Sequence, residues 1–74
     1  MIIEVRIDYI ALDTARYLGV LEKFLDRVNE IADNYTVGKA KEGIVEMERI
    51  GRLVYKVRPI ITGNQIEIRI EPVN

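Results

Sequence analysis

Four carboxylates, Glu22, Asp26, Glu30 and Asp33, recur three and four residues apart, the spacing that stacks side chains along one face of a helix and brings neighbours within reach of one cation. Lys23 and Arg27 lie beside them, and no second acidic segment encloses the ridge, so it reads as a solvated helix face. A second group is basic. Lys39 and Lys41 fall in a glycine-bounded loop, and Arg49 and Arg52 flank the turn Ile50-Gly51. A basic hairpin tip with an exposed isoleucine can grip phosphates or enter a groove. Arg58 and Arg69, set opposite each other on neighbouring strands, repel unless Glu67 and Glu71 on the diagonals or a ligand phosphate lies between them. These six residues are the nucleic-acid-binding candidates.

Catalysis has little to draw on. The chain has no His, no Cys and no Ser, so the usual neutral-pH acid-base group is missing and nucleophilic catalysis would need Thr14, Thr36, Thr62 or a tyrosine with no base to activate it. Thiolate-held metals and disulfides are excluded with cysteine, and no cofactor is expected. Gly38-Lys39-Ala40-Lys41-Glu42-Gly43 lacks the spacing and the terminal Lys-Ser/Thr of a phosphate-binding P-loop. The expectation is a non-enzymatic protein with no catalytic or metal-ligating residues.

A net charge of −1 excludes binding to nucleic acid by bulk charge alone, but the charge is unevenly spread. Residues 1–38 hold four basic and seven acidic side chains (−3), and residues 39–74 hold seven basic and five acidic (+2), which sum to −1. Abundant Ile, Val, Glu and Arg, with glutamine only at Gln65, give a profile like that of proteins from hyperthermophiles. The short apolar runs and the start Met1-Ile2-Ile3-Glu4 show neither a membrane span nor a signal peptide, so the expected location is cytoplasmic.

The 74 residues make one domain, near the size at which a single core only just offsets the entropy of ordering the chain. Ile3, Val5, Ile7 and Tyr9 alternate with Glu4, Arg6 and Asp8, which predicts a half-buried strand over Ile2–Ile10. Asp13 stands at an N-cap position, with Leu12 and Tyr17 as a hydrophobic staple, and Asn34 can close a helix in the left-handed conformation. One helix over Thr14–Asp33 follows. Its apolar residues span ~160° of arc, wider than the ~100° one flat contact buries. Either the sheet curls around it or a second copy of the chain covers a flank, and Tyr17, Val20, Phe24 and Ile31 are the interface candidates. The other flank carries Leu18, Leu25 and Ala32.

Tyr35 to Gly43 reads as a connection, and three strands follow from Ile44. A three-residue loop Arg49-Ile50-Gly51 sets Glu48 opposite Arg52, Met47 opposite Leu53 and Val45 opposite Tyr55, whereas a two-residue turn Ile50-Gly51 mixes the faces. Gly63-Asn64 makes a two-residue turn that pairs Ile61 with Ile66, Pro59 with Ile68 and Val57 with Ile70. These registers place Val45, Met47 and Tyr9 on the covered face and Glu46 and Glu48 on the bare one.

The expected fold is therefore α+β, a single β-α-β-β-β domain with one amphipathic helix on one face of a four-stranded, mainly antiparallel sheet. Strand 1 parallel or antiparallel to strand 2 remains open. The element order resembles that of the cystatin and monellin architecture, in which a sheet wraps one long helix. The likeness is one of order alone and carries no function. The bare face lacks the aromatic platform of RNA-binding sheets. The expected function is a small self-associating interaction module, a homodimer with a further protein partner and no membrane. The alternative is a nucleic-acid-binding accessory protein using Lys39, Lys41, Arg49 and Arg52.

Overall fold

The computed structural model describes residues 2–73. They form an α+β domain in which a four-stranded mixed sheet carries three helices on one face: β1 (Ile2–Ile7), α1 (Tyr9–Tyr17), α2 (Leu21–Asn34), α3 (Val37–Glu42), β2 (Glu46–Ile50), β3 (Leu53–Thr62) and β4 (Gln65–Pro72). The strand order is β1-β4-β3-β2, with β1 parallel to β4 and the other pairs antiparallel. β1 and β2 thus run in the same direction but are not neighbours. They stand at opposite edges.

The expected single helix is two. Asp8, not Asp13, is the first N-cap, its carboxylate accepting from the Ile10 N–H at 2.9 Å, so the strand ends at Ile7 and a helix begins where strand was expected. That helix stops at Gly19, whose φ of +73° reverses the chain before Leu21. The amphipathic pattern runs unbroken across this break, because both helices bury one side against the same sheet. Tyr9 consequently lies on α1 and is exposed rather than covered. Asn34 does not take the left-handed conformation, since Tyr35 continues in extended backbone. The expected connection over 35–43 contains α3, which the Thr36 hydroxyl caps by accepting from the Lys39 N–H and a left-handed Gly43 ends. The helical layer is therefore segmented and differs from a sheet wrapped on one long helix.

Nothing lies within 4 Å of where a Cβ on Gly19 would sit, so a side chain there meets only backbone strain. Gly19→Ala is expected to cost about 1–2 kcal/mol, the penalty of the left-handed region for an L-residue, and Asn at the same position less. Thermal or urea unfolding of the two variants measures the difference.

The Gly63-Asn64 hairpin has the expected register, with Ile61↔Ile66, Pro59↔Ile68 and Val57↔Ile70. Pro59 lies beyond the stretch of β3 that pairs with β2, so no ladder bond is lost. The other hairpin follows neither expected register. Ile50 pairs with Leu53, leaving Gly51-Arg52 as a two-residue turn with Gly51 at φ +57° in its first position, where a type II′ turn requires glycine. The shift turns Glu46, Glu48 and Ile50 to the helix side and puts Met47 on the open face, 64% exposed, while Val45, just before the strand, is 46% exposed rather than covered.

The core lies between the sheet and the helices. Ala11, Ala15, Phe24, Val28 and Ile31 pack against Leu53, Tyr55, Val57, Ile66, Ile68 and Ile70. Phe24 meets Tyr55 edge to face, with ring centroids 5.1 Å apart. Ile3, Val5 and Ile7 line the same face of β1 but are only half-buried. Among the described residues no helix is long and apolar enough to cross a membrane.

Candidate functional site

Three surfaces carry the polar and apolar groups that the core does not absorb. The first lies on the helix side of β2. Because the tip register turns Glu48 inward, its carboxylate sits beneath α2, where Arg27 clasps it through Nε at 2.9 Å and Nη2 at 2.6 Å. The Tyr55 hydroxyl donates to the same carboxylate at 2.7 Å, and Arg27 also reaches Glu30 at 3.2 Å. These contacts explain how a carboxylate is tolerated on a core-facing position. The Arg27 guanidinium holds the Glu48 carboxyl below the usual carboxylate range, and Glu48 in turn raises the guanidinium. Burial, with the bond to Glu48 second, pushes the Tyr55 hydroxyl well up.

Further along the same edge Lys39 pairs with Glu46 at 2.8 Å and lies 5.1 Å from the centroid of the Tyr35 ring. The Tyr35 hydroxyl is buried and has no hydrogen-bond partner among the described residues. The two tyrosines should respond oppositely to loss of the hydroxyl. Tyr55→Phe removes a bond to a charged acceptor and is expected to cost about 1–2 kcal/mol, while Tyr35→Phe deletes an unsatisfied group and is expected to be neutral or stabilising by up to ~1 kcal/mol. Chemical denaturation of both variants reads the contrast.

The second surface is the open face of the sheet. Arg6, Arg69 and Arg58 stand abreast on β1, β4 and β3. Glutamates of β4 answer two of them: Glu71, on the diagonal, accepts from Arg58 at 2.6 and 3.0 Å, and Glu67, two residues before Arg69 on the same strand, accepts from Arg69. Arg6 has only a long 4.0 Å contact with Glu67. Beside this row a shallow depression of about 230 Å³ is lined by Arg6, Asp8, Arg69 and Glu71, whose charges balance. Hydrogen bonds from Arg69 and Arg58 lower the Glu67 and Glu71 carboxyls respectively.

The lowered carboxyls set an acid limit. A carboxyl whose pKa is lower folded than unfolded contributes stability in full above the unfolded value, about 4.5, and loses it as the pH falls through the folded value. The melting temperature is therefore expected to fall as the pH is lowered from 4.5 and to vary less with these groups above it. A Glu48→Gln variant should show a shallower acid slope in the same scan.

The third surface is apolar. On α1, Tyr9 and Tyr17 lie two turns apart on one outer face and are 71% and 89% exposed. Ile2 at the start of β1 is 65% exposed.

Against these surfaces the sequence candidates distribute unevenly. Lys39, Arg58 and Arg69 are engaged with Glu46, Glu71 and Glu67. Arg49 donates to the Gly51 carbonyl at 3.1 Å across its own turn. Lys41 and Arg52 are exposed, with no ion pair among the described residues. The six do not form one patch: Lys39 stands on the helix side, and Arg58 and Arg69 on the open face. Of the interface candidates, Phe24 and Ile31 are inside the domain's own core, Val20 packs at its margin beside the tip glycine Gly51, and Tyr17 is exposed. They do not share one exposed face. Glu22, Asp26 and Asp33 are exposed along α2, and Glu30 is drawn toward Arg27. Among the described residues no group of three or more acidic side chains is placed to hold a metal ion.

Sequence reasoning passed over Glu48, Tyr55 and the edge of β1. The preference of type II′ turns for glycine in first position was the signal that would have turned Glu48 inward. Comparison with protein-family models, with curated proteins and with solved structures finds no match to this chain.

Proposed function

We propose that this domain is a non-enzymatic interaction module that works as a homodimer and presents a separate face to a protein partner. The observation that carries the reading is the incomplete cover of β1. Ile3, Val5 and Ile7 remain half-buried, and Ile2 is exposed, at a sheet edge with no strand beside it among the described residues. Open edges with apolar residues are surfaces that proteins either protect or use. The Tyr9 and Tyr17 face of α1 supports the second part, since aromatic side chains are enriched at protein interfaces.

A non-enzymatic role agrees with the electrostatics. The carboxyls of Glu48, Glu67 and Glu71 are lowered, and Arg27, Lys39 and Arg58 are raised, all by ion pairing. Each shift holds the group in its charged form, the reverse of what a general acid or base working near neutral pH needs. The ion pairs Arg58–Glu71 between β3 and β4 and Arg69–Glu67 within β4, with the single glutamine, also support an origin in an organism growing at high temperature, and a cytoplasmic location completes the proposal.

Sedimentation velocity at micromolar concentration tests the reading. The expected species has twice the 8.5 kDa chain mass, and a well-folded monomer overturns it. The alternative of a nucleic-acid-binding accessory protein rests on the exposed Lys41 of α3 and Arg52 at the hairpin tip. Electrophoretic shifts that weaken steeply as salt rises favour it, and no shift at low salt removes it.

A further inference from the structure

The edge of β1 has a self-complementary pattern. The Asp8 N–H donates to the Ile70 carbonyl on β4 at 2.9 Å. Backbone groups alternate in direction along a strand, so those of Glu4 and Arg6 also turn toward β4, and those of Ile3, Val5 and Ile7 turn outward. β1 is the terminal strand of the sheet, so no described strand of this chain meets that outward row. The side chains divide the other way. Ile3, Val5 and Ile7 line the helix side, half-buried against the core, while Glu4 and Arg6 stand exposed on the open face.

Both charges are available. Arg6 has a side chain 72% exposed and only the 4.0 Å contact with Glu67, and Glu4 has no ion pair among the described residues. Arg6 also ends the row Arg58, Arg69, Arg6, where a carboxylate on its free side would relieve repulsion.

Now let two copies meet edge to edge about a two-fold axis perpendicular to the sheet, which keeps like faces together. A register centred on Glu4 sets that carboxylate against itself. One centred on Arg6 sets arginine against arginine, and Glu4 against Asp8. A register centred on Val5 sets Glu4 against Arg6 of the second copy and Arg6 against its Glu4, while Ile3 faces Ile7 and Val5 faces Val5 on the helix side. A register centred on Ile7 would set Arg6 against Asp8 but runs past the end of β1 into α1, so among the registers the strand can form only the third pairs opposite charges. It also makes Val5–Val5 and Ile3–Ile7 the pairs that exchange two backbone hydrogen bonds each, and it leaves Glu4 and Arg6 in the close, non-hydrogen-bonded positions where side chains interact best.

We propose that a second copy of this chain docks on β1, antiparallel and centred on Val5, so that two four-stranded sheets become one continuous eight-stranded sheet with reciprocal Glu4–Arg6 ion pairs. The proposal rests on the homodimer reading and names its surface and register. The row of outward-turned amides in β1 gives affinity, as in other strand additions, and the alternating side chains give selectivity for this register.

Charge exchange tests it. Arg6→Glu and Glu4→Arg each create two like-charge contacts in the dimer, and each is expected to raise the dimer dissociation constant about a hundredfold or more, read by sedimentation equilibrium at low salt. Mixing the two variants is expected to restore dimers as heterodimers, because positions 4 and 6 are then both basic in one chain and both acidic in the other. The doubly exchanged chain is expected to dimerise by itself at near wild-type strength. Recovery on mixing also shows that the single variants are folded, and circular dichroism checks each alone. A wild-type dimer that both single variants leave intact, or whose loss in the variants is not recovered by mixing while each remains folded, overturns the β1 register and leaves the homodimer reading standing. A wild-type monomer overturns both.

Discussion

Phe24→Ala is expected to destabilise the domain by about 3–5 kcal/mol, enough to leave much of so small a protein unfolded at ambient temperature. Phe24 is fully buried and fills the space between α2 and the centre of the sheet, where its ring meets Tyr55 edge to face. Removing the ring forfeits its transfer from water, the aromatic contact and the packing of Ile66, Ile68 and Ile70, and it leaves a cavity that a short helix can close only partly. Phe24→Leu should cost less, because most of the volume remains. Urea unfolding followed by far-UV circular dichroism measures both variants. A loss below about 1 kcal/mol for the alanine variant would show that the core repacks around the site. If the chain dimerises, the unfolding midpoint also depends on protein concentration, so the comparison is made at equal concentration.

Arg27→Ala is the second large effect. The Glu48 carboxylate faces the helix side of the sheet with its side chain only 20% exposed, and Arg27 supplies two of its hydrogen bonds and Tyr55 a third. Truncating Arg27 leaves that charge with one hydrogen-bond partner in a partly dry setting. Full burial would make the loss 3–5 kcal/mol, but the Arg27 side chain is 40% exposed and solvent screens the pair, so about 1–3 kcal/mol is expected. The companion Glu48→Gln should cost less than Arg27→Ala, since it removes the charge together with the need to balance it. The two changes should not add. A double-mutant cycle is expected to return a coupling of about 1 kcal/mol or more, and additivity would show that the clasp contributes little in solution. The Arg27→Ala variant should also lose part of the acid dependence, because the guanidinium is the main group depressing Glu48.

The same pair marks a boundary between what was legible in the chain and what was not. The period-two pattern of Ile3, Val5 and Ile7 and the pairing of Ile61, Pro59 and Val57 with Ile66, Ile68 and Ile70 were readable, because the central strands have one buried face and a slip of one residue would expose it. On β2 the rule has no grip. That strand is an edge, so neither Val45 and Met47 nor Glu46 and Glu48 is fully buried, and the turn at Gly51-Arg52 decides which pair faces the helices. Hydrophobicity favoured Met47 inward. The backbone of the turn set Glu48 inward instead, and Arg27 and Tyr55 make that outcome tolerable.

Helix boundaries show a related limit. The apolar periodicity from Tyr17 to Tyr35 locates α2 but not the start of α1 or α3, and it cannot reveal the reversal at Gly19, because α1 and α2 bury faces against the same sheet. The left-handed backbone at Gly19 is a local conformational choice that leaves the hydrophobic pattern unchanged.

Composition and periodicity by themselves determined the class of this protein: an α+β domain of four strands and amphipathic helix, with charged residues alternating along its strands and without His, Cys or Ser. These are properties of single segments, set by which side of a helix or strand is apolar. Only the tertiary structure decided that β1 lies beside β4 and forms an outer edge, that Glu48 turns under α2, and that Phe24 and Ile31 are spent in the core. Strand order and edge exposure depend on contacts between segments far apart in the chain, whose pairing free energies differ little until all the elements pack together.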